Sequence, residues 1–400
     1  LPYTTLFRSA MRRQMEKSTF GYRLHFETEA SEKLAAKTAA LCPEGLNRVF
    51  FVSGGSEAVE SALKLARQYA LAIGEGSRWK IISRAPSYHG CTLGALAITS
   101  YAPLTDPFLP MMQAMPKIPA PRAYLDGLDA DLEATGQHYA DMLEAKILEE
   151  GPESVLAFVV EPIGGASTGA LVPPRGYMER VQEICRKYGV LFILDEVMTG
   201  AGRTGKFLAS EHWNLAPDIV VMSKGFAAGY VPLGAMVAHE RLVEPVLDAG
   251  GFLHGFTYAG NPLACAAGLD EIERMDLVGN AARMGERLQE RLRGLMQRYA
   301  IIGDVRGKGL LTAFEFMADR GTKAPLPKGL RAFERFVQIA YDKGLIVYSR
   351  RTRDGIEGDH IIVAPPMIVT ETHLDEITEM LDASLAEFTD EIRPALDRAM

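Results

Sequence analysis

The sequence lacks an excess of positive charge, a long apolar run and any closely spaced pair of cysteines. Its 43 basic and 51 acidic residues give a net charge of −8, which disfavours general binding to nucleic acid or to an anionic membrane. No apolar run is long enough to cross a bilayer, and the first residues contain no apolar signal core. These absences predict a soluble protein whose partners include neither nucleic acid nor a membrane.

The four cysteines lie far apart, at Cys42, Cys91, Cys185 and Cys265. Because no CxxC pair is present, we predict neither a zinc cluster nor a redox pair, and no metal site. Isolated cysteines of this kind are typical of a reducing compartment, so we expect a cytoplasmic protein.

The beginning of the chain is set apart from the fold prediction. The chain starts at Leu1, its first methionine is Met11, and the opening LPYTTLFRS resembles a translated cloning adapter. Residues 1–9 are therefore predicted to be foreign. Residues 10–46 are predicted to be the N-terminal remnant of a small lobe with its linker.

From about Asn47 onward, short apolar runs alternate with longer amphipathic stretches. Runs that are nearly continuous in hydrophobicity are typical of strands buried on both faces of a parallel sheet. The predicted strands are Val49–Val52, Lys80–Ser83, Val155–Val160, Leu191–Leu194, Ile219–Met222 and Leu233–Ala238. Helical spacing of apolar residues follows in Ser56–Ile73, Tyr177–Tyr188 and Leu263–Glu273. For residues 47–290 we predict an α/β fold with a mainly parallel central sheet and helices on both faces.

Residues 291–400 are predicted to form a smaller α+β lobe. Its expected strands are Gly309–Phe316, Leu345–Tyr348 and His360–Val363, and its expected helices are Arg331–Asp342 and Thr372–Phe388. Between the predicted strands of the large lobe, Tyr101–Tyr124 contains six prolines and little periodicity. We predict a long loop there, and loops of that length in compact domains are often functional.

A glycine-rich segment, Ser53-Gly54-Gly55-Ser56-Glu57, joins a predicted strand to a predicted helix. Glycine lets the backbone approach a ligand closely, and the helix N-terminus offers free N–H groups to a phosphate. The alternative is an ordinary tight turn in which Ser56 caps the helix.

Two further strands end in charged residues. Asp195 and Glu196 follow Leu191–Leu194, at the edge of the sheet where ligands of α/β proteins bind. Such a carboxylate can pair with a cationic ring nitrogen or a metal, and the alternative is a solvated acidic pair. Lys224 ends the next strand, where burial would lower its pKa and make its amine nucleophilic. The alternative is a lysine that extends into solvent.

The segment from Gly200 to Lys206 fits most of the phosphate-binding loop of nucleotide hydrolases. That motif needs Ser or Thr next, to bind Mg²⁺, and position 207 is Phe. The acidic strand also immediately precedes the segment and cannot be the strand that faces it. We therefore reject nucleotide hydrolysis.

A phosphate cradle, a strand-end aspartate and a strand-end lysine together match the requirements of pyridoxal 5′-phosphate (PLP). The lysine forms a Schiff base with the cofactor, and the aspartate keeps the pyridine nitrogen protonated. We predict that Lys224 and Asp195 are the catalytic residues.

The sequence resembles the class III (ω-type) aminotransferases of PLP fold type I from about Glu27 to the C-terminus. The matching segments, in family order, are FFVSGGSEAVESALKLAR, SYHGCTLGAL, VVEPIGGASTGALVPPRGY, LFILDEVMTGAGRTGK, APDIVVMSKGFAAGYVPLGA and FTYAGNPLACAAGL. The resemblance implies a ping-pong transfer of an amino group from an amine or ω-amino acid to a 2-oxo acid. It also implies a homodimer with active sites at its interface, and an N-terminus that lacks part of the family sequence.

The resemblance assigns to the cofactor Gly55, Ser56, Tyr88, His89, Glu161, Asp195, Val197, Lys224 and Thr257. Gly55 and Ser56 would bind the phosphate, and Val197 and Tyr88 would lie on opposite faces of the ring. Thr257 would reach the phosphate held by the partner subunit.

The resemblance gives supporting roles to Glu161 and His89. Glu161 would support the region around Asp195. His89 would orient Tyr88 or be an ordinary, hydrogen-bonded structural histidine.

The run Gly-Gly-Ala-Ser after Glu161-Pro-Ile lacks the acidic or amide residues of the ornithine, acetylornithine and 4-aminobutyrate branches. The sequence looks more like the branch that uses pyruvate as acceptor. That branch often binds a carboxylate through an arginine after a Gly-Leu-Ile-like strand, where this chain has Tyr348 and then Arg350. We predict these two as substrate residues, and the alternative for the arginine is a solvated basic loop with Arg351 and Arg353.

Two rival functions stay open from the sequence. One is an aminomutase or decarboxylase of the same fold. The other is a protein that keeps the fold and has lost activity with the missing N-terminal region.

Overall fold

The computed structural model describes residues 4–274 and 276–396, with side chains for 8–268 and 276–396. Its strands are β1 Leu46–Val52, β2 Lys80–Ala85, β3 Lys117–Pro119, β4 Val155–Val160, β5 Leu191–Asp195, β6 Ile219–Met222, β7 Gly234–His239, β8 Ile302–Lys308, β9 Leu311–Phe316, β10 Tyr348–Arg353 and β11 Glu357–Val363. Its α-helices are α1 Thr4–Lys17, α2 Glu29–Leu41, α3 Gly55–Ala72, α4 Leu93–Ile98, α5 Ala102–Thr105, α6 Ala123–Asp126, α7 Glu133–Glu150, α8 Tyr177–Tyr188, α9 Glu240–Asp248, α10 Pro262–Arg274, α11 Leu277–Arg298, α12 Ala332–Asp342 and α13 Glu371–Leu396.

The larger sheet has seven strands in the order β1-β7-β6-β5-β4-β2-β3. All neighbours pair in parallel except β7, which is antiparallel to both β1 and β6. All six strands predicted for this lobe are present, with ends shifted by a few residues. The predicted fold class, a mainly parallel sheet with a second small lobe, is therefore confirmed.

Helices cover both faces of the larger sheet. On one face, α2, α7, α8 and α10 share a buried apolar core with the strands, and Leu34, Leu143 and Val181 are fully or almost fully buried in it. On the other face, α3, α4 and α9 form a second core around Leu65, Ile98 and Leu242. Both faces of β4 and β5 are buried, which explains why their sequences show no alternation.

The connection from Tyr101 to Tyr124, predicted as a long loop, contains the short helix α5, a 3₁₀ turn at Asp106–Met111, the edge strand β3 and the start of α6. Its prolines include residues at the first positions of α5 and the 3₁₀ turn. A proline at a helix start loses no hydrogen bond, because the N–H that it lacks would have no partner there. Some of these prolines therefore mark the starts of a short helix and a 3₁₀ turn, and the sequence prediction missed both.

The smaller sheet is antiparallel, in the order β10-β11-β9-β8, and packs on α11, α12 and α13 around a single core. The strand predicted at Leu345–Tyr348 is wrong. Gly344, two residues after the end of α12, has a φ of +88°; residues 345–347 then form a connection, and the strand begins at Tyr348. The prediction followed the apolar Leu-Ile-Val run, whereas the true strand β10 is polar because it forms an edge of its sheet.

The predicted domain boundaries remain a proposal. Residues 1–3 lie outside the described residues, and α1 runs through the rest of the segment predicted as foreign. In the predicted remnant 10–46, α2 places Ala30 and Leu34 in the core of the larger sheet. The helix α11 crosses the boundary proposed at residue 291, and it joins the small-lobe core from Leu277 onward.

None of the helices in the described ranges is long and apolar enough to cross a membrane.

Two glycines of α11 give a matched test of how this helix packs. A Cβ atom at Gly285 would overlap the backbone of Gly309, in the turn between β8 and β9, whereas one at Gly294 would meet nothing within 4 Å. We expect Gly285→Ala to lower the free energy of unfolding by about 1–3 kcal/mol, because the helix must move away from the turn. Gly294→Ala should raise it by up to about 1 kcal/mol, since alanine favours helix. Urea denaturation measures both, and equal effects would contradict the close contact.

Candidate active site

The loops after β1, β2, β4, β5 and β6 meet at one end of the larger sheet and enclose a cavity of about 180 Å³, here called the inner cavity. Parallel strands end at the same edge of a sheet, which is why residues far apart in sequence meet there. The inner cavity brings together eight of the nine residues predicted to hold the cofactor: Gly55, Ser56, Tyr88, His89, Glu161, Asp195, Val197 and Lys224.

The glycine-rich segment forms a cradle at the start of α3. The helix begins at Gly55 with Gly54 as N-cap and no side-chain cap, so the alternative with Ser56 as the cap is wrong. The first N–H groups of the helix therefore have no side-chain acceptor and suit an anion. A Cβ atom at Gly55 would lie 2.9 Å from Val197 Cγ1, so only glycine fits. Ser56 Oγ accepts a hydrogen bond from the Cys91 N–H at 3.0 Å.

Asp195 lies at the last position of β5 and is only 5% exposed. One carboxylate oxygen accepts a hydrogen bond from the Val197 N–H at 3.1 Å. The other accepts one from His89 Nδ1 at 2.8 Å. His89 thus contacts Asp195 directly, which was not among the roles predicted for it, and it fixes the orientation of the carboxylate.

Behind His89 lies a row of buried polar groups. Glu161 Oε1 accepts a hydrogen bond from the Gly165 N–H at 2.9 Å, and burial raises the pKa of this carboxyl, against the opposing charges of His89 and Arg84. Arg84, 1% exposed, donates from Nη2 to the Glu161 carbonyl at 2.7 Å. The sequence prediction missed Arg84, whose only signal is a charged residue near the end of an apolar strand. His89 Nε2 and Glu161 Oε2 have no hydrogen-bond partner among the described residues.

Glu196 turns away from the cavity and is not part of a solvated acidic pair. It is 1% exposed and accepts hydrogen bonds from Thr199 Oγ1, from the Ala209 N–H at 3.0 Å and from the Ser210 N–H at 2.8 Å. Burial raises its pKa to about 7. Glu196 therefore holds the loop after β5 in place, while its neighbour Asp195 faces the cavity.

Lys224 follows β6 and has a positive φ of 45°, an uncommon backbone conformation for a lysine. Its side chain lines the inner cavity, and the solvent-accessible surface of this lysine therefore faces the site. Burial lowers its pKa, against the opposing charges of Asp195 and Glu161. Its amine makes no hydrogen bond or ion pair within the described ranges, so it is free to react.

These residues fit PLP. The cradle at α3 provides N–H donors for a phosphate, Asp195 provides a fixed carboxylate for a ring nitrogen, and Lys224 provides a free amine for an aldehyde. Val197 and Tyr88 supply side chains of the kind that pack against an aromatic ring.

A second cavity of about 530 Å³, here called the outer cavity, adjoins the first and shares Tyr88, Ala166, Met198 and Lys224 with it. Its rim comes from both lobes and contains Tyr101, Leu104, Ser167, Tyr348 and Arg350.

Of the three arginines on β10, only Arg350 lines the outer cavity. Alternate residues of a strand share a face, so Tyr348 and Arg350 point the same way, and the guanidinium lies 4.8 Å from the centre of the Tyr348 ring. Arg351 points to the other side and pairs with Glu334 at 2.8 Å. Arg353 donates to the Lys323 carbonyl. The alternative of a solvated basic loop is therefore wrong for this segment, which is a strand with defined contacts.

Thr257, which was predicted to bind the cofactor, and the rejected nucleotide-binding segment both lie outside these cavities. Thr257 is exposed in a turn before α10 and lines neither cavity of its own chain. In the rejected nucleotide-binding segment, a Cβ atom at Gly205 would meet Ala282 of α11 at 2.9 Å, and a 3₁₀ turn at Ala209–Trp213 follows where that motif needs a helix.

Fold and site together define a PLP-dependent enzyme with a large cofactor lobe and a small second lobe. The chain belongs to the class-III aminotransferases, whose family model matches residues 7–385. Enzymes of this class depend on PLP, and they transfer amino groups between amines and 2-oxo acids.

Named relatives and a solved structure agree with this assignment. A taurine–pyruvate aminotransferase of Rhodobacter capsulatus is 39% identical over 85% of this chain and 75% of its own length. A putrescine–pyruvate aminotransferase of Pseudomonas aeruginosa is 35% identical over 92% of this chain and 80% of its own. The crystal structure of an amine transaminase from an uncultivated Pseudomonas species, in its PLP-bound form, gives a TM-score of 0.89 at 34% identity, covering 96% of this chain and 86% of that one.

Replacing Glu196 tests the buried carboxyl that holds the loop. Its pKa rises from 4.5 to about 7 on folding, so the folded protein keeps a proton that the unfolded chain releases between these values. The stability due to protonated Glu196 is therefore complete below pH 4.5 and is lost as the pH rises through about 7. At pH near 5, Glu196→Gln should be less stable than wild type by about 1–3 kcal/mol, because its amide points a donor at the Ala209 N–H.

The stability gap between Glu196→Gln and wild type should narrow as the pH rises to 8, because only wild type buries a new charge. Urea denaturation at the two pH values measures the gap. Glu211→Gln, which changes an exposed glutamate of the same loop, is the control. A gap that stays constant for Glu196→Gln would contradict the raised pKa.

Proposed function

We propose that this aminotransferase takes the amino group of an amine or ω-amino acid and delivers it to pyruvate. The observation that carries the proposal is a single cavity with Lys224 at its base and Arg350 at its rim. The amine supplies its nitrogen at the base, and a 2-oxo acid places its carboxylate at the rim. Relatives named as taurine–pyruvate and putrescine–pyruvate aminotransferases support pyruvate as the acceptor.

Lys224 moves the proton in the proposed reaction. Bound PLP supplies an aldehyde for covalent attachment and an electron-withdrawing ring. Lys224 Nζ would take the proton that leaves the amine-bearing carbon and would deliver it to the cofactor carbon on the other side of the nitrogen. The lowered pKa of this amine keeps more of it neutral, and thus able to accept a proton, than in an ordinary lysine.

Asp195 would keep the ring nitrogen protonated. The hydrogen bonds from His89 and the Val197 N–H fix both of its oxygens, so it needs no reorganisation when the cofactor binds.

Arg350 would bind the carboxylate of the acceptor. Its guanidinium stacks on Tyr348 and forms no ion pair with a carboxylate in the described ranges, while Arg351 is already paired. The apolar parts of Leu104, Met198 and Tyr88 line the space between Arg350 and Lys224 and suit the side chain of an amine without a carboxylate.

A homodimer would complete the site with Thr257 of the partner subunit. Apolar side chains near Thr257 are exposed in the single chain: Leu253 is 82% exposed, Tyr258 63% and Phe20 46%. Phe20 and Tyr258 pack edge to face at 5.8 Å, so they form one surface. Exposed apolar patches of this kind mark interfaces. The four free cysteines support the cytoplasmic location.

Lys224→Ala tests the chemistry. We expect loss of covalent PLP, detected by mass spectrometry after borohydride reduction, and a fall in transfer rate by a factor on the order of 10³ or more. Lys206→Ala, which removes an exposed lysine 18 residues earlier, should leave both unchanged. The assay is a panel of amines with pyruvate and with 2-oxoglutarate as alternative acceptors.

Each result of the panel has a defined meaning. Turnover that needs pyruvate supports the proposal, and a preference for 2-oxoglutarate would refute pyruvate as the acceptor. Turnover without any 2-oxo acid would indicate the aminomutase or decarboxylase alternative. Covalent PLP without turnover of any amine would indicate a protein that has lost activity.

A mixed dimer tests whether Thr257 acts across the interface. Thr257→Ala should weaken PLP binding, and Lys224→Ala should abolish transfer. The two variants are co-expressed with different tags, and the heterodimer is purified. If Thr257 contributes to the site of the partner subunit, one of the two sites in this heterodimer contains both wild-type residues. We expect about half of the wild-type activity at low PLP concentration. A heterodimer no better than its parents would show that Thr257 acts within its own subunit or not at all.

A further inference from the structure

The hydroxyl group of Tyr101 joins the large lobe to the hairpin of β10 and β11. The backbone N–H of Arg351 donates a hydrogen bond to Tyr101 Oη at 3.1 Å. Because β10 is an edge strand, N–H groups on its outer side have no partner within the small sheet. Tyr101 supplies the missing acceptor at the residue directly after Arg350.

Close packing keeps Tyr101 and the hairpin together. Tyr101 is 5% exposed, and the hairpin turn reaches it at Gly355, whose φ is +76°. A Cβ atom at Gly355 would lie 2.9 Å from Tyr101 Cε1 and 2.5 Å from Pro103 Cδ. Only glycine allows both this turn and this approach. The position of the hydroxyl relative to Arg350 is therefore set by contacts on two sides.

The hydrogen bonds leave unused donors at the rim of the outer cavity. A tyrosine hydroxyl accepts and also donates, and the hydrogen of Tyr101 has no acceptor among the described residues. Arg350 donates from Nη1 to the Ser349 carbonyl at 3.1 Å, and its Nε and Nη2 groups have no partner in the described part of the chain. None of the residues that line the outer cavity is acidic.

We infer that Tyr101 donates a hydrogen bond to the carboxylate that Arg350 binds, and thereby makes the outer cavity selective for 2-oxo acids. The inference rests on the proposed function, in which Arg350 receives that carboxylate. The same hydroxyl accepts from Arg351 and so holds the backbone that carries Arg350. An amine without a carboxylate offers no acceptor to either residue, so Tyr101 affects one half of the reaction and not the other.

Tyr101→Phe tests the inference, with Tyr124→Phe as a matched control. Tyr124 lies at the end of the same connection, and its hydroxyl is buried without a hydrogen-bond partner among the described residues. The two halves of the reaction are measured separately by rapid mixing, with benzylamine as a donor that has no carboxylate and pyruvate as the acceptor. Binding of propionate, an unreactive carboxylate, is measured by calorimetry.

We expect Tyr101→Phe to weaken propionate binding and to raise the pyruvate concentration for half-maximal rate by about tenfold. The benzylamine half should stay within about twofold of wild type, because no hydrogen bond is lost there. Tyr124→Phe should change neither half. In an Arg350→Ala background, Tyr101→Phe should add less than about twofold, since both residues act on one carboxylate.

An equal effect of Tyr101→Phe on both halves, or no effect on either, would overturn the inference. If Tyr101→Phe lowers the unfolding temperature markedly, Tyr101→His replaces it as the test. A neutral imidazole also accepts once and donates once, so we expect it to retain part of the affinity for propionate. No such recovery would refute the role of the hydroxyl. Failure of the proposed function is distinct, because wild type itself would then fail to react with benzylamine, with pyruvate or with both.

Discussion

The parallel pairing of β5 with β6 brings together Asp195 and Lys224, the two groups proposed to carry the chemistry. Asp195 pairs with Val221 across the two strands, and Lys224 follows three residues beyond that partner. The two side chains are 29 residues apart in sequence, and only this register places both at the same edge of the sheet. A shift by one residue would turn Asp195 to the opposite face of β5 and separate it from the cavity. The other contacts of the site, from His89 to the cradle at α3, are built around this pair.

The site also depends on how the protein tolerates several buried charges near Asp195. Burial raises the pKa of Glu161, and it raises the pKa of Glu196 to about 7, so Glu196 does not add a full negative charge at neutral pH. Arg84 lies beside Glu161, with 3.9 Å between its Nη2 and the carboxylate. Burying isolated ions at this place would cost too much free energy. The hydrogen bonds of Asp195, the raised pKa values of the two glutamates and the nearby Arg84 lower that cost.

The sequence allowed us to predict site residues that directly follow a buried strand. It did not allow us to predict residues whose contacts come from distant segments of the chain. Asp195 and Lys224 could be predicted because charged residues at the ends of apolar strands meet at one edge of a parallel sheet. Arg84 and Tyr101 could not, because their roles depend on a partner 77 or 250 residues away. The strand β10 was misplaced since an edge strand with charged residues lacks the apolar signal. That Arg350, and not Arg351 or Arg353, lines the outer cavity could be seen only from the alternation of side chains along β10.

The position of Arg350 on an edge strand has a consequence for how such enzymes diversify. Tyr348 and Arg350 face the outer cavity, while Ser349 and Arg351 between and beside them carry the contacts that hold the hairpin. If Arg350 binds the acceptor as proposed, substitutions at these two positions can alter the acceptor without disturbing the sheet. They also leave the pair Asp195 and Lys224 untouched, because those residues belong to the other lobe. In the proposed function, Arg350 and the pair Asp195 and Lys224 thus lie on different sheets, although Tyr101 of the larger lobe also lines the outer cavity. Selection at the two positions on β10 can therefore change the acceptor while it preserves the chemistry.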